Sequence, residues 1–237
     1  MKKETRLYDS ETALTLYNDA LNGSHWWGRA YLASIWQGIN ERAITSFLLQ
    51  HIPHDFHGKI LDVPSGTLFF THKKYARLPH AHIDAVDTSA ATLKYAQTKI
   101  THNLPNVLLH QASITQLPFV NETYDITISM NGFHVIDDKE KAYNEIKRTL
   151  KPGGTFLGTF YIKGNSKKTD FIAQHILTRM NIFHPPFETA DSLIRRLKKD
   201  YHVRDVHIEG SFIYFVCQKP EKLQPSTHSG IMFPTFN

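Results

Sequence analysis

Cysteine is almost absent from this chain of 237 residues. Its one example, Cys217, excludes an internal disulfide, and its neighbours Phe215 and Val216 mark it as a small apolar residue of a strand rather than a catalytic thiol. Long hydrophobic runs are missing too: no stretch approaches the roughly 20 apolar residues that cross a bilayer as a helix. The start, Met1-Lys2-Lys3-Glu4-Thr5, leads into polar sequence and not into a secretory core, so a cytoplasmic location and no membrane span are expected. The 15 histidines include no His-Glu-x-x-His helix pattern, and no metal is expected. Charge of one sign is not concentrated either. The net charge of +5 comes from short groups such as Lys73-Lys74, Lys167-Lys168 and Arg195-Arg196-Leu197-Lys198-Lys199. These alternate with apolar helix positions, which makes them solvated helix faces rather than a nucleic-acid surface.

What is present is an ordinary globular balance, 41% hydrophobic and 21% charged residues, enough for one substantial core with an appended subdomain. Up to Ile52 the apolar residues (Leu14, Tyr17, Leu21, then Tyr31, Ile35, Ile39, Ala43, Phe47) recur at helical spacing, which predicts two or three helices. After Pro53 the pattern changes to an alternation. Strands are predicted at 59–63, 82–87, 106–110, 124–130 and 155–161. Helices are predicted at 89–102 and 139–150, the second stopped by Pro152-Gly153-Gly154. Such alternation gives a parallel sheet covered on both faces, with ligands at the carboxyl ends of its strands. Residues 164–201 add helices broken at Pro185-Pro186, and 202–209 with 211–218 read as a hairpin turning at Gly210.

The chemistry gathers at the first two strand ends. A turn containing Gly66 follows the first strand, and Asp87 ends the second; a ligand can approach the backbone of such a turn while a carboxylate takes the ribose hydroxyls of an adenosine. With only Gly66 in the turn, a dinucleotide diphosphate is disfavoured.

Ile60-Leu61-Asp62-Val63-Pro64-Ser65-Gly66-Thr67, Ala85-Val86-Asp87-Thr88-Ser89, Gln116-Leu117-Pro118-Phe119, Tyr124 to Asn131, and Glu145 to Gly154 with its Leu150-Lys151-Pro152-Gly153-Gly154 follow one another in a fixed order and spacing. That order resembles the class I S-adenosylmethionine-dependent methyltransferases, above all the branch of the ubiquinone and menaquinone biosynthesis enzymes, over roughly residues 58–160. The resemblance implies an α/β, Rossmann-like, seven-stranded and mostly parallel sheet with helices on both faces, its last strand antiparallel, under an N-terminal helical lid. The domains expected are a cap at 1–57, the Rossmann-like domain at 58–219 with a helical insertion around 164–200, and an irregular tail at 220–237.

By the same resemblance, S-adenosylmethionine is the cofactor and S-adenosylhomocysteine the product. Asp62, Pro64, Ser65, Gly66 and Thr67 would line the methionine part, Asp87 and Thr88 the ribose, and Ser113 and Ile114 the adenine. Met130, Asn131 and Gly132 would pass close to the methyl group. His134 is the candidate base or orienting residue. Tyr17, Trp26, Trp27, Tyr31, Phe133 and Tyr161 are the candidate acceptor wall, whose aromatic character suits a planar or apolar small molecule. The chain departs from the family pattern at Pro64 and Leu68, where the first and third loop glycines stand. The expected function is methyl transfer to a small molecule; a catalytically silent cofactor-binding scaffold or sensor is the alternative, and an RNA methyltransferase the third reading. A nucleic-acid partner is not expected, and a homodimer stays open.

Overall fold

Seven strands join into one sheet in the computed structural model, which describes residues 41–179 and 183–222. They are β1 (Lys59–Asp62), β2 (His82–Asp87), β3 (Val107–Gln111), β4 (Tyr124–Met130), β5 (Leu150–Tyr161), β6 (His202–Glu209) and β7 (Phe212–Gln218), in the spatial order β3-β2-β1-β4-β5-β7-β6. The first five pair in parallel, while β7 runs antiparallel between β5 and β6. The chain winds outward from β1 to β3 and then restarts on the other side of β1 with β4. The crevice above β1, β2 and β4 is therefore the topological switch point, where sheets of this kind bind ligands.

Both faces are covered. Ile44 and Leu48 of α1 (Glu41–Leu49) and Ala96 of α3 (Ala90–Lys99) pack with Ile60, Ile83 and Ile128, and α2 (His72–Tyr75) adds Tyr75 to the same layer. On the opposite face, Ala142 and Ile146 of α4 (Lys139–Thr149) and Leu193 and Leu197 of α6 (Ala190–Asp200) pack with Leu61, Val86 and Phe156. Adjacent residues such as Ile60 and Leu61 thus enter different layers, which is why the strands read as continuously apolar. Between β5 and α6, α5 (Lys167–Phe171) continues into a π-helical stretch, Ile172–Leu177.

Local chemistry sets the helix starts. Ser89 accepts a hydrogen bond from the Thr92 amide at α3, and Asp138 accepts one from the Lys141 amide at α4. The fifth strand starts earlier than its sequence suggests, at Leu150 instead of Thr155. Leu150 pairs with Tyr124, the register then shifts, and Thr155 pairs with Ile126. Pro152-Gly153-Gly154 does end the helix, but it forms a bulge inside the strand. Gly153 takes φ +74 there, and the segment exchanges backbone hydrogen bonds with Lys219. The helices expected before residue 41 and the tail from 223 lie outside the described residues. Among the described residues, no helix is long and apolar enough to cross a membrane.

Candidate functional site

The β1–β2 ladder runs one step past β1: the Ser65 amide donates to the Val86 carbonyl at 2.8 Å. This lays the loop along the end of β2, where the Gly66 amide donates to Asp87 Oδ2 at 3.0 Å and the Ser89 amide to Oδ1 at 2.9 Å. Asp87 therefore ties the loop to the N-terminus of α3. Burial raises its pKa, opposed by the backbone donors of Ser89, Gly66 and Thr88. Each carboxylate oxygen still has a lone pair for another donor. Gly66 adopts φ +54, and a Cβ placed on it would meet nothing within 4 Å. The loop thus leaves open space beside a carboxylate with spare acceptor capacity, a donor set that fits the ribose of an adenosyl cofactor.

The two departures from the glycine pattern have separate structural answers. Leu68 occupies the left-handed region at φ +62, where a glycine would be unstrained, with its side chain buried in the core. That burial offsets a backbone cost on the order of 1–2 kcal/mol. Pro64 packs its ring on Gly132 at the end of β4; a Cβ on Gly132 would lie 2.5 Å from Pro64 Cγ and Cδ. The glycine that is missing from the loop has its counterpart across the crevice.

Asp62 is held beneath the loop by two hydroxyls. Only 1% exposed, it accepts hydrogen bonds from Thr71 Oγ1 at 2.9 Å and Tyr75 Oη at 2.7 Å, so it braces the turn and α2 beneath the loop. Burial, the dominant influence, pushes its pKa up to about 7 against those two hydrogen bonds. Thr67 is buried next to Gly66, whereas Pro64 and Ser65 are half-buried and Thr88 is exposed. Beyond β3 the Ala112 amide donates to the Asp87 carbonyl at 3.1 Å. Ser113 Oγ is shared with Thr115, while Ile114 enters the apolar layer below α4.

At the end of β4, Asn131 adopts φ +52 and is held by its amide on the Thr159 carbonyl and by Thr159 Oγ1 on Asn131 Oδ1. Met130 and Gly132 are buried beside it. His134 follows in a 3-10 turn, Phe133–Val135. Burial, then Lys139 and His184, hold its pKa down at about 3, so the ring is neutral, and its buried Nδ1 has no hydrogen-bond partner among the described residues. The ring packs 4.0 Å from Phe183, which also contacts Tyr161 at 5.5 Å; Tyr161 in turn meets Phe187 at 5.7 Å. The structure therefore brings His134 and Tyr161 together with two aromatics of the late insertion.

Phe133 is not in that group. It stacks on Phe160 at 4.2 Å and lies 4.5 Å from Tyr143, inside the core under α4. Adjacent positions in a tight turn point to opposite faces, which separates it from His134. Tyr17, Trp26, Trp27 and Tyr31 lie outside the described residues. Lys139, His184 and Asp170 are supporting residues that spacing does not reveal. Lys139 Nζ donates to the His184 carbonyl at 2.6 Å, the His184 amide to the His134 carbonyl at 2.7 Å, and Tyr161 Oη to Asp170 at 2.7 Å. These bonds clasp the insertion to the strand ends.

Residues 60–154 match a family model described as a methyltransferase domain. Among curated relatives, a ubiquinone/menaquinone biosynthesis C-methyltransferase of Pasteurella multocida is 35% identical over 103 residues, which cover 42% of this chain and 38% of that protein. The chain thus spans well under two thirds of the relative's length. Among solved structures, the geranyl diphosphate C-methyltransferase of Streptomyces coelicolor, in complex with S-adenosyl-L-homocysteine, has a TM-score of 0.61 at 14% identity, covering 75% of each chain. The cyclase SpnF has a TM-score of 0.62 at 15% identity, covering 76% of this chain and 82% of its own. At these identities the likeness establishes the Rossmann-like fold alone.

Proposed function

We propose that this chain transfers a methyl group from S-adenosylmethionine to a small-molecule acceptor with an aromatic or apolar body. The observation that carries the proposal is the loop held on Asp87 through Gly66, with open space over that glycine, at the switch point of the sheet. Asp87 and Thr88 would hold the ribose, and Pro64, Ser65, Gly66 and Thr67 would follow the methionine part. Ser113 and Ile114 would flank the adenine, and Met130, Asn131 and Gly132 would border the reacting centre. Asp62 supports the loop from below. The names of the relatives, C-methyltransferases of quinone biosynthesis and of geranyl diphosphate, support an acceptor with an apolar body.

The bound cofactor supplies an electrophilic methyl on a sulfonium, so the chain's task is alignment and exclusion of water. The aromatic group around Tyr161, Phe183 and Phe187 suits that exclusion. A histidine with a pKa near 3 is a weak base at neutral pH, but its Nδ1, without a partner among the described residues, can accept a hydrogen bond. His134 therefore orients the acceptor and takes up a proton only as one is released in the reaction.

Methyl transfer from labelled S-adenosylmethionine across a panel of phenolic, quinol and prenyl acceptors tests this function. Label in an extractable small-molecule product is the expected result. Cofactor binding without transfer to any acceptor would identify a scaffold or sensor instead, and label in RNA would overturn the small-molecule assignment.

A further inference from the structure

A second concavity has neither Asp87 nor the end of β4 in its lining. It is a cavity of about 620 Å³ between α1, the segment from Thr67 to Arg77 and α3. His54, His72, Lys73, Lys74 and Arg77 line it, and none of its described lining residues is acidic. The Lys73-Lys74 pair, a solvated helix face by its sequence, is thus part of a cavity wall. Lys74 is anchored by donating from Nζ to the Ile52 carbonyl at 2.6 Å, which leaves two further donors on the ammonium. Its pKa is lowered by burial and by the neighbouring Arg77 charge. Lys73 and Arg77 are exposed and make no ion pair among the described residues.

Clustered cations around a low-dielectric concavity repel one another and concentrate anions. The rest of the lining combines apolar and aromatic walls, Leu49, Phe69, Phe70 and Ile100 among them, with the uncharged polar side chains of Thr45, Ser46, Gln50 and Thr67. Volume and lining match a site for a small organic ligand better than one for a bare ion.

We propose that this cavity binds a phosphate-bearing small molecule, with its anionic end on Lys73, Lys74 and Arg77 and its apolar body against Leu49, Phe69, Phe70 and Ile100. The site meets the proposed cofactor loop only at Thr67, shares none of its other residues, and is independent of whether the chain transfers methyl groups. Charge-assisted contacts to phosphate supply affinity, and the apolar walls supply selectivity over inorganic phosphate.

Isothermal titration of the full chain with 1-naphthyl phosphate, inorganic phosphate and 1-naphthol tests the site. Saturable binding of 1-naphthyl phosphate, at least about ten-fold tighter than either fragment and weakening with salt, is the expected result. The Lys73→Ala/Arg77→Ala double variant should lose about ten-fold or more, with an unchanged melting temperature. Should that variant fail to fold, Arg77→Gln alone serves, with a loss of about three-fold or more expected. Three results would overturn the proposal: no saturation by about 10 mM probe, equal affinity in the variant, or displacement of the probe by S-adenosylhomocysteine. A chain that binds the probe but no S-adenosylhomocysteine would refute the cofactor assignment and leave this site standing.

Discussion

Replacing Asp62 by asparagine should stabilise the protein at pH 8, and by progressively less towards pH 5. The carboxyl is 1% exposed, and burial raises its pKa from 3.8 to about 7. The folded chain therefore keeps this proton up to about pH 7, whereas the unfolded chain releases it near 3.8. Between those values the folded state binds more protons, so this group lowers stability as pH rises and its full cost is in place by pH 8. A shift of roughly three units at about 1.4 kcal/mol each gives about 4 kcal/mol at pH 8, and about 1.5 kcal/mol at pH 5. Asparagine keeps an acceptor for the Tyr75 and Thr71 hydroxyls but buries an amide NH2, a penalty of about 1–2 kcal/mol. The net gain expected is thus about 2–3 kcal/mol at pH 8 and close to zero at pH 5. His134 acts the other way. Its folded pKa of about 3 lies below the ordinary 6.5, so it lowers stability as pH falls through 6.5. That contribution is common to both proteins and cancels in the difference. Urea unfolding of wild type and variant from pH 5 to pH 8 measures it. A variant no more stable than wild type at pH 8, or a difference independent of pH, would refute the reasoning.

Gly132→Ala should destabilise by about 1–3 kcal/mol, because its Cβ would strike the Pro64 ring at 2.5 Å. Pro64→Gly should recover at least about 1 kcal/mol of that loss in the double variant, and strictly additive effects in denaturant melts would remove the contact from the account. For any acceptor that the panel identifies, His134→Ala should cut kcat about 100-fold and leave S-adenosylhomocysteine affinity within about three-fold. Equal losses in both would make the residue structural. Since the ring is already neutral at mildly acid pH, kcat of the wild type should show no inflection between pH 5 and 8 that His134→Ala abolishes.

The parts of the fold legible in the sequence are those where one pattern dominates. Tyr124 to Met130 reads as a strand with the bounds it has, since every side chain but Asp125 is apolar or small and both faces are covered. Ser89 reads as a cap because it places a short hydrogen-bond-accepting side-chain oxygen just ahead of a helical period. Pro152-Gly153-Gly154 reads only in half: a proline and two glycines stop a helix, but the bulge that carries them into β5 depends on Tyr124 and Lys219, distant in sequence. The candidate site divides in the same way. Gly66 and Asp87 follow from their places after two strands, and they are joined by a hydrogen bond. That Asp62 turns to Tyr75, that Phe133 enters the core while His134 meets Phe183, and that Gly132 receives Pro64 all depend on tertiary packing. Lys73 and Lys74 look like solvent-facing charges until α1 and α3 close a cavity around them.

The central claim is that the loop and Asp87 hold an adenosyl cofactor, and titration calorimetry with S-adenosylhomocysteine tests it most directly. Wild type should bind with a Kd on the order of 10 μM, and Asp87→Ala should bind about 100-fold more weakly, since a carboxylate taking two ribose hydroxyls is removed. No heat of binding from the wild type up to about 1 mM ligand, or an affinity that Asp87→Ala leaves unchanged, would contradict it.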